Sequence, residues 1–545
     1  MSVRTRLRAG VGCERERPEQ PRVHRCDDLD PDGSVTEPMR DVDMQEGRED
    51  STAGLGERRS ADPIDHPIAR RRILFYRRAT ARGGVRASMS RIVLVLGLTV
   101  SLLGVGALDG TPAWALPAQP DVIVIVTDDQ HAGTLGWMPV MKNYLTRRGI
   151  RFTRAMVPTS LCCPSRASLL TGEYAHTTRV WSNDKGWRRF VDAGMESKTV
   201  AVWLRQSGYR TALVGKYLNA FSGARPRPGW NVWHSFLGQN ANYYDYELLH
   251  TDRSITRYGF RAASYSTDVL RRYAVRFIRS TPADKPLFLY FAPYAPHEPA
   301  TPAPRHLSLP APLQTYWPPS ARETDLSDKP PWIRRLPAQS FSYIQSLRVK
   351  QYRTLRSVDE AVATIMDAQR ARRRLRNTLL VFLSDNGMMW AEHRVMGKFV
   401  PYKGATRIPM GIAWRAGLPQ GRVQKRLVLN IDVAATIADA AGAADGGVAG
   451  RSLLERWRRG GFVLEARAAT VPGPNGTNVT RPPYCGWRSA RYLFVRYGNG
   501  REELYDYRRD PWELRDRRGT APDLQRRLRQ RARSACQPVP PGFSW

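Results

Sequence analysis

Four short apolar segments, each followed at once by polar residues, are the feature that most constrains the fold of this chain. They span residues 122–126, 211–214, 287–291 and 379–383, and β-branched residues recur in them. The segments alternate with stretches of helical character, which is the pattern of an α/β sheet. Because ligands collect at the carboxyl ends of strands in this architecture, we expect functional residues directly after each segment.

Charged and amide side chains follow all four segments. They are Asp128, Asp129, Lys216, His297, Asp385 and Asn386. Their recurrence after separate strands predicts that they lie at one edge of the sheet. The four oxygen-bearing side chains suit a hard divalent cation, Ca²⁺ or alternatively Mg²⁺, rather than zinc. Any single aspartate at a strand end could instead cap a following helix.

The segment LCCPSRASLLTG at residues 161–172 indicates chemistry on an anion. Pro164 is a good first helical residue, and helix formers follow Ser165 and Arg166, so Cys162 is predicted to lie at a helix N-terminus. Such an end favours an anion and an activated nucleophile. The alternative is a pair of buried cysteines or a disulfide partner, although adjacent cysteines are poorly placed to bridge each other.

This segment matches the signature C-x-P-S-R-x-x-x-L-T-G, and the chain resembles the type I sulfatases over about residues 120–516. Within that family, the amino-acid sequences of this segment and of GKYLN at 215–219 are most similar to the N-acetylglucosamine-6-sulfatase branch. The resemblance implies an α/β, alkaline-phosphatase-like fold. A central mixed sheet would be flanked by helices, with a smaller C-terminal subdomain containing an antiparallel sheet. The expected boundaries are 118–445 for the catalytic domain and 446–545 for the subdomain.

The resemblance also implies a chemical role for Cys162. In the family this cysteine is converted to 3-oxoalanine (formylglycine) by a formylglycine-generating enzyme, and the hydrated aldehyde supplies the attacking oxygen. The metal, bound through Asp128, Asp129, Asp385 and Asn386, also touches this residue. A sulfated small molecule or carbohydrate is the implied substrate.

Further site residues follow from the same resemblance. Arg166, Lys216 and Lys398 fit positions that stabilise charge on the sulfate, whereas either lysine alone could be a solvated surface charge. Many family members carry a histidine two residues after the first lysine, where this chain has Leu218. We therefore expect His297 to protonate the leaving oxygen, with His393 as the alternative.

Several other positions match the family pattern without an expected catalytic duty. His176 is expected to support the site indirectly, and Asp432 to cap or anchor a helix. The segments 503–506 and 510–514 resemble the closing motif of the family. Side chains that could line a sugar pocket, although aromatic residues more often belong to the core, are Trp181, Asn183, Trp187 and Tyr243.

The N-terminal residues are predicted not to belong to the catalytic domain. Residues 1–88 lack apolar periodicity, which indicates a disordered or untranslated extension. From Met89, a basic start leads into the apolar run 92–108 and a small-x-small site at 113–115, which together predict a signal peptide over 89–115. The protein is therefore expected to be secreted or in the cell envelope. An uncleaved signal that anchors the chain in a membrane is the alternative.

Charge and cysteine content constrain the partners and the compartment. The formal net charge is +35, but the arginines are spread through the chain and match no zinc-finger, homeodomain or single-strand-binding pattern, so we expect no nucleic-acid partner. A basic surface would attract sulfated or acidic carbohydrate. Cys485 and Cys536 are predicted either to pair in an oxidising compartment or to remain free thiols.

The sequence leaves two alternatives to a sulfatase open. The first is a phosphodiesterase or phosphonate monoester hydrolase of the same superfamily, which can share the Cys162 signature. The second is a secreted basic protein that binds polyanions without turnover. The sequence leaves the individual sulfate ester open.

Overall fold

The computed structural model describes residues 23–24, 119–239 and 241–545. The predictions for the N-terminal extension and the signal peptide therefore lie outside the described residues, apart from the two-residue strand at 23–24. No helix in the described ranges is both long enough and apolar enough to span a membrane.

Nineteen strands are found in these residues. They are β1 (Val23–His24), β2 (Asp121–Thr127), β3 (Ile150–Met156), β4 (Arg210–Gly215), β5 (Val232–Phe236), β6 (Tyr246–His250), β7 (Ile255–Tyr258), β8 (Leu287–Ala292), β9 (Thr378–Ser384), β10 (Met389–Trp390), β11 (Met396–Gly397), β12 (Met410–Ala413), β13 (Arg422–Leu429), β14 (Phe462–Ala466), β15 (Ala469–Pro472), β16 (Asn478–Arg481), β17 (Tyr484–Arg488), β18 (Tyr492–Tyr497) and β19 (Glu502–Asp506).

Eleven α-helices accompany the strands in the described part of the chain. They are α1 (Pro139–Arg147), α2 (Cys162–Thr171), α3 (Ala175–Thr178), α4 (Gly186–Asp192), α5 (Val200–Gln206), α6 (Ser266–Ser280), α7 (Pro331–Arg334), α8 (Phe341–Ala371), α9 (Lys403–Thr406), α10 (Asp432–Ala441) and α11 (Pro522–Ala535).

The main sheet is mixed, with the order β1-β7-β6-β5-β4-β8-β2-β9-β12-β3-β13. The four strands predicted from the sequence are β4, β8, β2 and β9, and the prediction of one shared sheet is confirmed. They are consecutive in this order and pair in parallel. All four carboxyl ends therefore meet at the same edge of the sheet.

Helices cover both faces of this sheet, because alternate residues of the buried strands point to opposite sides. In β2, Val122, Val124 and Val126 pack in a core that includes residues of α2, α5 and α10. Ile123 and Ile125 pack on the other side in a core that includes residues of α1, α6 and α8. The predicted α/β architecture, a mixed sheet between helical layers, is confirmed.

The predicted C-terminal antiparallel sheet is also present. Its order is β14-β17-β18-β19, with every neighbouring pair antiparallel. The segment 503–506, which resembles the closing motif of the family, lies in β19. Helix α11 contributes Leu528 and Ala532 to a small core with Phe494 and Leu504 of the sheet. The exact boundary near residue 445 remains a prediction.

A disulfide joins Cys485 of β17 to Cys536, the residue after α11. This resolves the choice that the sequence left open in favour of a pair. Cys162 and Cys163 are free and buried.

Reducing this disulfide is expected to lower the free energy of unfolding by about 4 kcal/mol, because the bond closes a loop with a sequence separation of 51 residues. Urea unfolding with and without reductant measures the change. The double variant Cys485→Ser/Cys536→Ser is the control and should not respond to reductant. An equal response of variant and parent would assign the effect to another part of the molecule.

Candidate active site

The functional side chains predicted from the strand ends come together at the carboxyl edge of β4, β8, β2 and β9. Asp128 and Asp129 follow β2, Lys216 follows β4, and Asp385 follows β9. Gly215 permits the close approach of β4 to β8: its φ is +115°, and an added Cβ would lie 2.1 Å from the carbonyl oxygen of Ala292. A larger residue there would displace Lys216 from this edge.

Helix α2 presents Cys162 to the same edge. Its first residue is Cys162, as predicted, but Pro164 is the third helical residue rather than the first. Asn183 holds the start of the helix, since its Oδ1 accepts a hydrogen bond of 2.9 Å from the backbone N–H of Cys163. Asn430 holds Ser165, in the first turn of the helix, by donating to its Oγ at 2.9 Å. The helix start is thus fixed by long-range contacts, not by a side-chain N-cap.

Cys162, Asp128, Asp129 and His297 form a compact cluster. One potential ligand atom from each of the four lies within 4.8 Å of those from the others. The sulfur of Cys162 is 3.5 Å from Asp128 Oδ1 and 3.8 Å from Asp129 Oδ1. Cys162 and Asp128 are fully buried. Two carboxylates therefore face the first residue of α2.

Arg166 links this helix to two of the strand ends. Its Nε donates to Asp385 Oδ2 at 2.8 Å, and its Nη2 lies 3.5 Å from Asp128 Oδ2. Nη1 donates to the carbonyl oxygen of Lys216 at 2.9 Å. The guanidinium is fully buried, so its charge is balanced by these carboxylates.

Two lysines complete the charge arrangement. Lys216 Nζ pairs with Asp128 Oδ2, and Lys398 Nζ pairs with Asp129 Oδ2. Each lysine is 5% exposed, which excludes the alternative of a solvated surface charge. Both ammonium groups therefore belong to the cluster that surrounds Cys162.

Burial and these charges set the ionisation of the cluster. Burial alone would raise the pKa of Asp128, but the positive charges of Lys216 and then His297 lower it well below the ordinary value. For Asp385, burial and the charge of Asp128 raise the pKa to about 6. Burial also raises the pKa of the Cys162 thiol. As a thiol, residue 162 is consequently neutral and a weak nucleophile.

His297 is oriented by its own loop. Its Nδ1 donates to the carbonyl oxygen of Glu298 at 2.6 Å, because a carbonyl can only accept. Nε2 then faces the cluster, 3.4 Å from Asp129 Oδ2. Tyr243 holds the loop by donating to the carbonyl oxygen of His297 at 2.8 Å. Burial and the charge of Lys398 lower the pKa of His297, which makes its protonated form a stronger acid.

Oxygen atoms of Asp128, Asp129 and Asn386 could hold a hard divalent cation, whereas both oxygens of Asp385 already have protein partners. Asn386 donates through Nδ2 to Asp129 Oδ1 at 2.7 Å, and its Oδ1 is buried with no hydrogen-bond partner among the described residues. Asp128 and Asp129 each present an oxygen beside Cys162. Asp385 is committed through Oδ2 to Arg166 and through Oδ1 to the backbone N–H groups of Asp129 and Asn386.

His393, the alternative proton donor, has other partners. Its Nδ1 lies 2.6 Å from Glu323 Oε2, and its Nε2 lies 3.9 Å from Glu513 Oε2. Burial would lower the pKa of His393, but the hydrogen bond to Glu323 and the contribution of Glu513 outweigh it and raise the pKa to about 9. These contacts indicate a structural role for His393. Its ion pairs join the segment around Glu323, the loop after β10 and the C-terminal segment around Glu513.

This ion pair predicts a pH-dependent stability. Because the folded pKa of about 9 exceeds the unfolded value of 6.5, the contribution of His393 is full below pH 6.5 and is lost as the pH rises through 9. It amounts to on the order of 3 kcal/mol. Urea unfolding of His393→Gln and parent should therefore differ most at about pH 6 and least at about pH 9.5. A difference independent of pH would contradict the ion pair as its source.

His176 and Asp432 have structural partners away from the cluster. His176 Nδ1 lies 2.8 Å from Glu465 Oε2, and its ring stacks on Tyr174. Asp432 starts α10, accepts from the backbone N–H of Leu429 at 2.7 Å and pairs with Arg459. Anchoring of a helix is the role that the sequence predicted for Asp432.

A cleft of about 230 Å³ is lined by chain neighbours of two residues of the cluster. We call it the active-site cleft, because Leu161 precedes Cys162 and Phe399 follows Lys398, although no residue of the cluster itself lines it. Trp181 and Asn183 also line it, whereas Trp187 and Tyr243 do not. Trp187 instead packs against Phe221 and donates to Glu196.

The C-terminal subdomain contributes residues that the sequence interpretation missed. Arg467 and Arg481 line the active-site cleft, and Arg481 is held by the carbonyl oxygens of Phe399 and Arg467. Tyr294 was also missed, although its ring stacks on His297 with centroids 4.6 Å apart. The proline-rich turn after β8 was the only signal in the sequence for Tyr294, and no local motif marks the two arginines.

Two family models and a human protein are similar to this chain. Residues 120–443 match the family model described as Sulfatase, and residues 391–535 match the one described as N-sulphoglucosamine sulphohydrolase, C-terminal. The N-acetylglucosamine-6-sulfatase of Homo sapiens is 30% identical over 389 residues, which cover 67% of this chain and 67% of that protein.

Two further comparisons add to these. The extracellular sulfatase SULF-1 homolog of Drosophila melanogaster is 33% identical over 340 residues, which cover 59% of this chain but only 30% of that protein. A protein solved in complex with its substrate D-glucosamine-2-N,6-O-disulfate has a TM-score of 0.62 at 22% identity, covering 76% of this chain and 97% of that chain. This structural likeness establishes the shared fold.

Proposed function

This chain belongs to the sulfatase family, and from that premise we propose that it is a secreted enzyme that hydrolyses sulfate esters of sugars or aryl alcohols. The observation that carries the proposal is the placement of Cys162, at the first position of α2, against two carboxylates and two lysines. We further propose that Cys162 is converted to formylglycine and that Asp128, Asp129, Asp385 and Asn386 hold Ca²⁺, with Mg²⁺ as the alternative.

The environment of the Cys162 thiol supports its conversion to formylglycine. A buried thiol beside Asp128 and Asp129 is neutral, so it would attack sulfur poorly. Conversion would supply a hydroxyl as the attacking group. The helix start and the nearby ammonium groups of Lys216 and Lys398 favour an anion at this position.

The protein's own cations would stabilise the charge on the sulfate. Arg166 holds Asp385 and Asp128 in place, whereas Lys216 and Lys398 pair with the two carboxylates nearest to Cys162. When bound, the divalent cation would neutralise further charge on the sulfate oxygens. Such preorganised stabilisation is usually the largest contribution to catalysis of this kind.

His297 would donate the proton to the departing oxygen. Its Nδ1 is fixed by the Glu298 carbonyl, so Nε2 is the atom that faces the cluster and carries the proton in the imidazolium form. His393 is engaged by Glu323 and Glu513, which supports His297 over His393 in this role.

The relatives support a sulfated sugar as the substrate class. The human relative is named for N-acetylglucosamine 6-sulfate, and the solved protein was bound to a disulfated glucosamine. The active-site cleft of about 230 Å³ has Trp181 and Arg467 in its lining, which suit the face of a sugar ring and an anionic substituent. The name of the Drosophila relative supports secretion.

Two measurements test this function. The mass of the tryptic peptide 155–166, from protein made in a host with the modifying enzyme, should show the aldehyde in place of the thiol. Paired assays with nitrophenyl sulfate and nitrophenyl phosphate esters should show a preference for the sulfur compound. Preference for the phosphorus ester by orders of magnitude would assign the chain to the phosphodiesterases and phosphonate hydrolases instead. An unmodified thiol together with no turnover would support a polyanion-binding protein.

A further inference from the structure

A second cleft, of about 490 Å³, lies between β3 and β13 of the main sheet and the C-terminal subdomain. We call it the basic cleft, because five cationic side chains line it and no carboxylate appears among its described lining residues. The cations are Arg154, Lys403, Arg407, Lys425 and Arg488. None of its lining residues also lines the active-site cleft.

Arg488 is the central feature of the basic cleft. The residue is only 3% exposed, and its guanidinium lies over the ring of Tyr507, 3.5 Å from the centroid. Its Nε and Nη1 are buried and have no hydrogen-bond partner in the described ranges. Buried polar groups are almost always hydrogen-bonded, since leaving a charged one unpaired costs several kcal/mol. Two donors therefore lack an acceptor in a cleft that contains space for one.

The surrounding charges make an anion the fitting acceptor. Burial lowers the pKa of Arg488 to about 9; the charge of Glu513 opposes this shift, and those of Arg407 and Arg154 add to it. Arg154, Arg407 and Lys425 make no salt bridge with any described residue. An anion in the cleft would compensate all of these charges at once.

One carboxylate lies nearby but is already used. Glu513 accepts from the backbone N–H of Lys403 at 3.0 Å and from the hydroxyl of Tyr507. It also faces His393 at 3.9 Å. Because Glu513 points to these groups, Arg488 Nε and Nη1 remain without an acceptor.

We propose that the basic cleft is a second anion-binding site, which holds a sulfate group of a sulfated polysaccharide chain outside the active-site cleft. The planar guanidinium of Arg488 suits two hydrogen bonds to one such group, and the flanking lysines and arginines suit its neighbours. A volume of about 490 Å³ accommodates more than a lone ion. The inference rests on the proposed function for the choice of a sulfated chain.

The test measures binding of dextran sulfate of defined chain length by titration calorimetry at physiological salt. The double variant Arg154→Gln/Lys425→Gln removes two exposed cations from the basic cleft and should weaken binding about tenfold. The matched control, Arg334→Gln/Arg335→Gln, removes two exposed cations from the end of α7 and should change affinity by less than about twofold. Both variants should hydrolyse nitrophenyl sulfate at the parental rate.

Equal weakening by the two double variants would assign binding to net charge and overturn the proposal. Equal binding of unsulfated dextran would overturn it as well. Arg488→Gln provides a second arm: with its fold verified by thermal unfolding, it should weaken binding at least as much as the double variant.

The outcomes also separate this proposal from the proposed function. Absence of sulfate ester hydrolysis with a selective loss of binding in the cleft variant would remove the enzymatic function and retain the anion site. Normal hydrolysis with unchanged binding in that variant would retain the enzymatic function and remove the anion site.

Discussion

Cys162→Ala is expected to abolish hydrolysis of nitrophenyl sulfate, with a loss of at least about 10⁴-fold in kcat, while the protein keeps its fold. The methyl group offers no attacking oxygen, and no other side chain in the cluster takes that position. The loss of the buried sulfur leaves only a small cavity, so the thermal unfolding temperature should change by a few degrees. Steady-state kinetics and a thermal melt measure the two effects.

The neighbouring cysteine provides a matched control for this prediction. Cys163 is equally buried but packs in the apolar core with residues such as Ala167 and Phe190. Cys163→Ala should therefore lower stability slightly and leave turnover close to the parental value. Normal turnover by Cys162→Ala, or an equal loss in the two variants, would remove Cys162 from the role of nucleophile.

Asp385→Ala is expected to lower turnover by at least about 10³-fold and to destabilise the protein by about 3–5 kcal/mol. Two effects combine: a proposed metal ligand is lost, and the fully buried Arg166 loses the carboxylate that accepts from its Nε. Calorimetric titration with Ca²⁺ should show weakened binding, and urea unfolding should show the loss of stability.

Asp432→Ala is the control that separates loss of metal binding from loss of stability in Asp385→Ala. Asp432 is also a buried aspartate paired with an arginine, Arg459, but it anchors α10 away from the cluster. Its loss should destabilise the protein without weakening Ca²⁺ binding. If both variants left Ca²⁺ affinity unchanged, Asp385 would be a structural partner of Arg166 and not a metal ligand.

The sequence predicted the parts of the fold that depend on local pattern. The four apolar segments were found as parallel neighbours, each one residue longer at one or both ends, because buried parallel strands are continuously apolar and their polar ends are sharply marked. The placement of Cys162 at a helix start followed from the composition of residues 161–172. Only the position of Pro164 within the helix differed from the prediction.

Features that depend on distant parts of the chain could not be predicted in this way. The pairing of His393 with Glu323 and Glu513 joins three segments without a shared motif, so the sequence left His393 open as a proton donor. The pairing of Cys485 with Cys536 likewise needed a distance that spacing does not supply. The lining of both clefts depends on how the C-terminal sheet packs against the main sheet, which periodicity does not encode.

The complete burial of Cys162 bears on the order of events during biosynthesis. Its side chain has no exposed surface, and α2 is enclosed by the strand ends, Asn183 and Asn430. An enzyme that carries out the proposed conversion would have to contact the sulfur, so it would need this segment unfolded. Under the proposed conversion, the modification should accordingly precede folding, and a chain that folds first would keep the unmodified thiol.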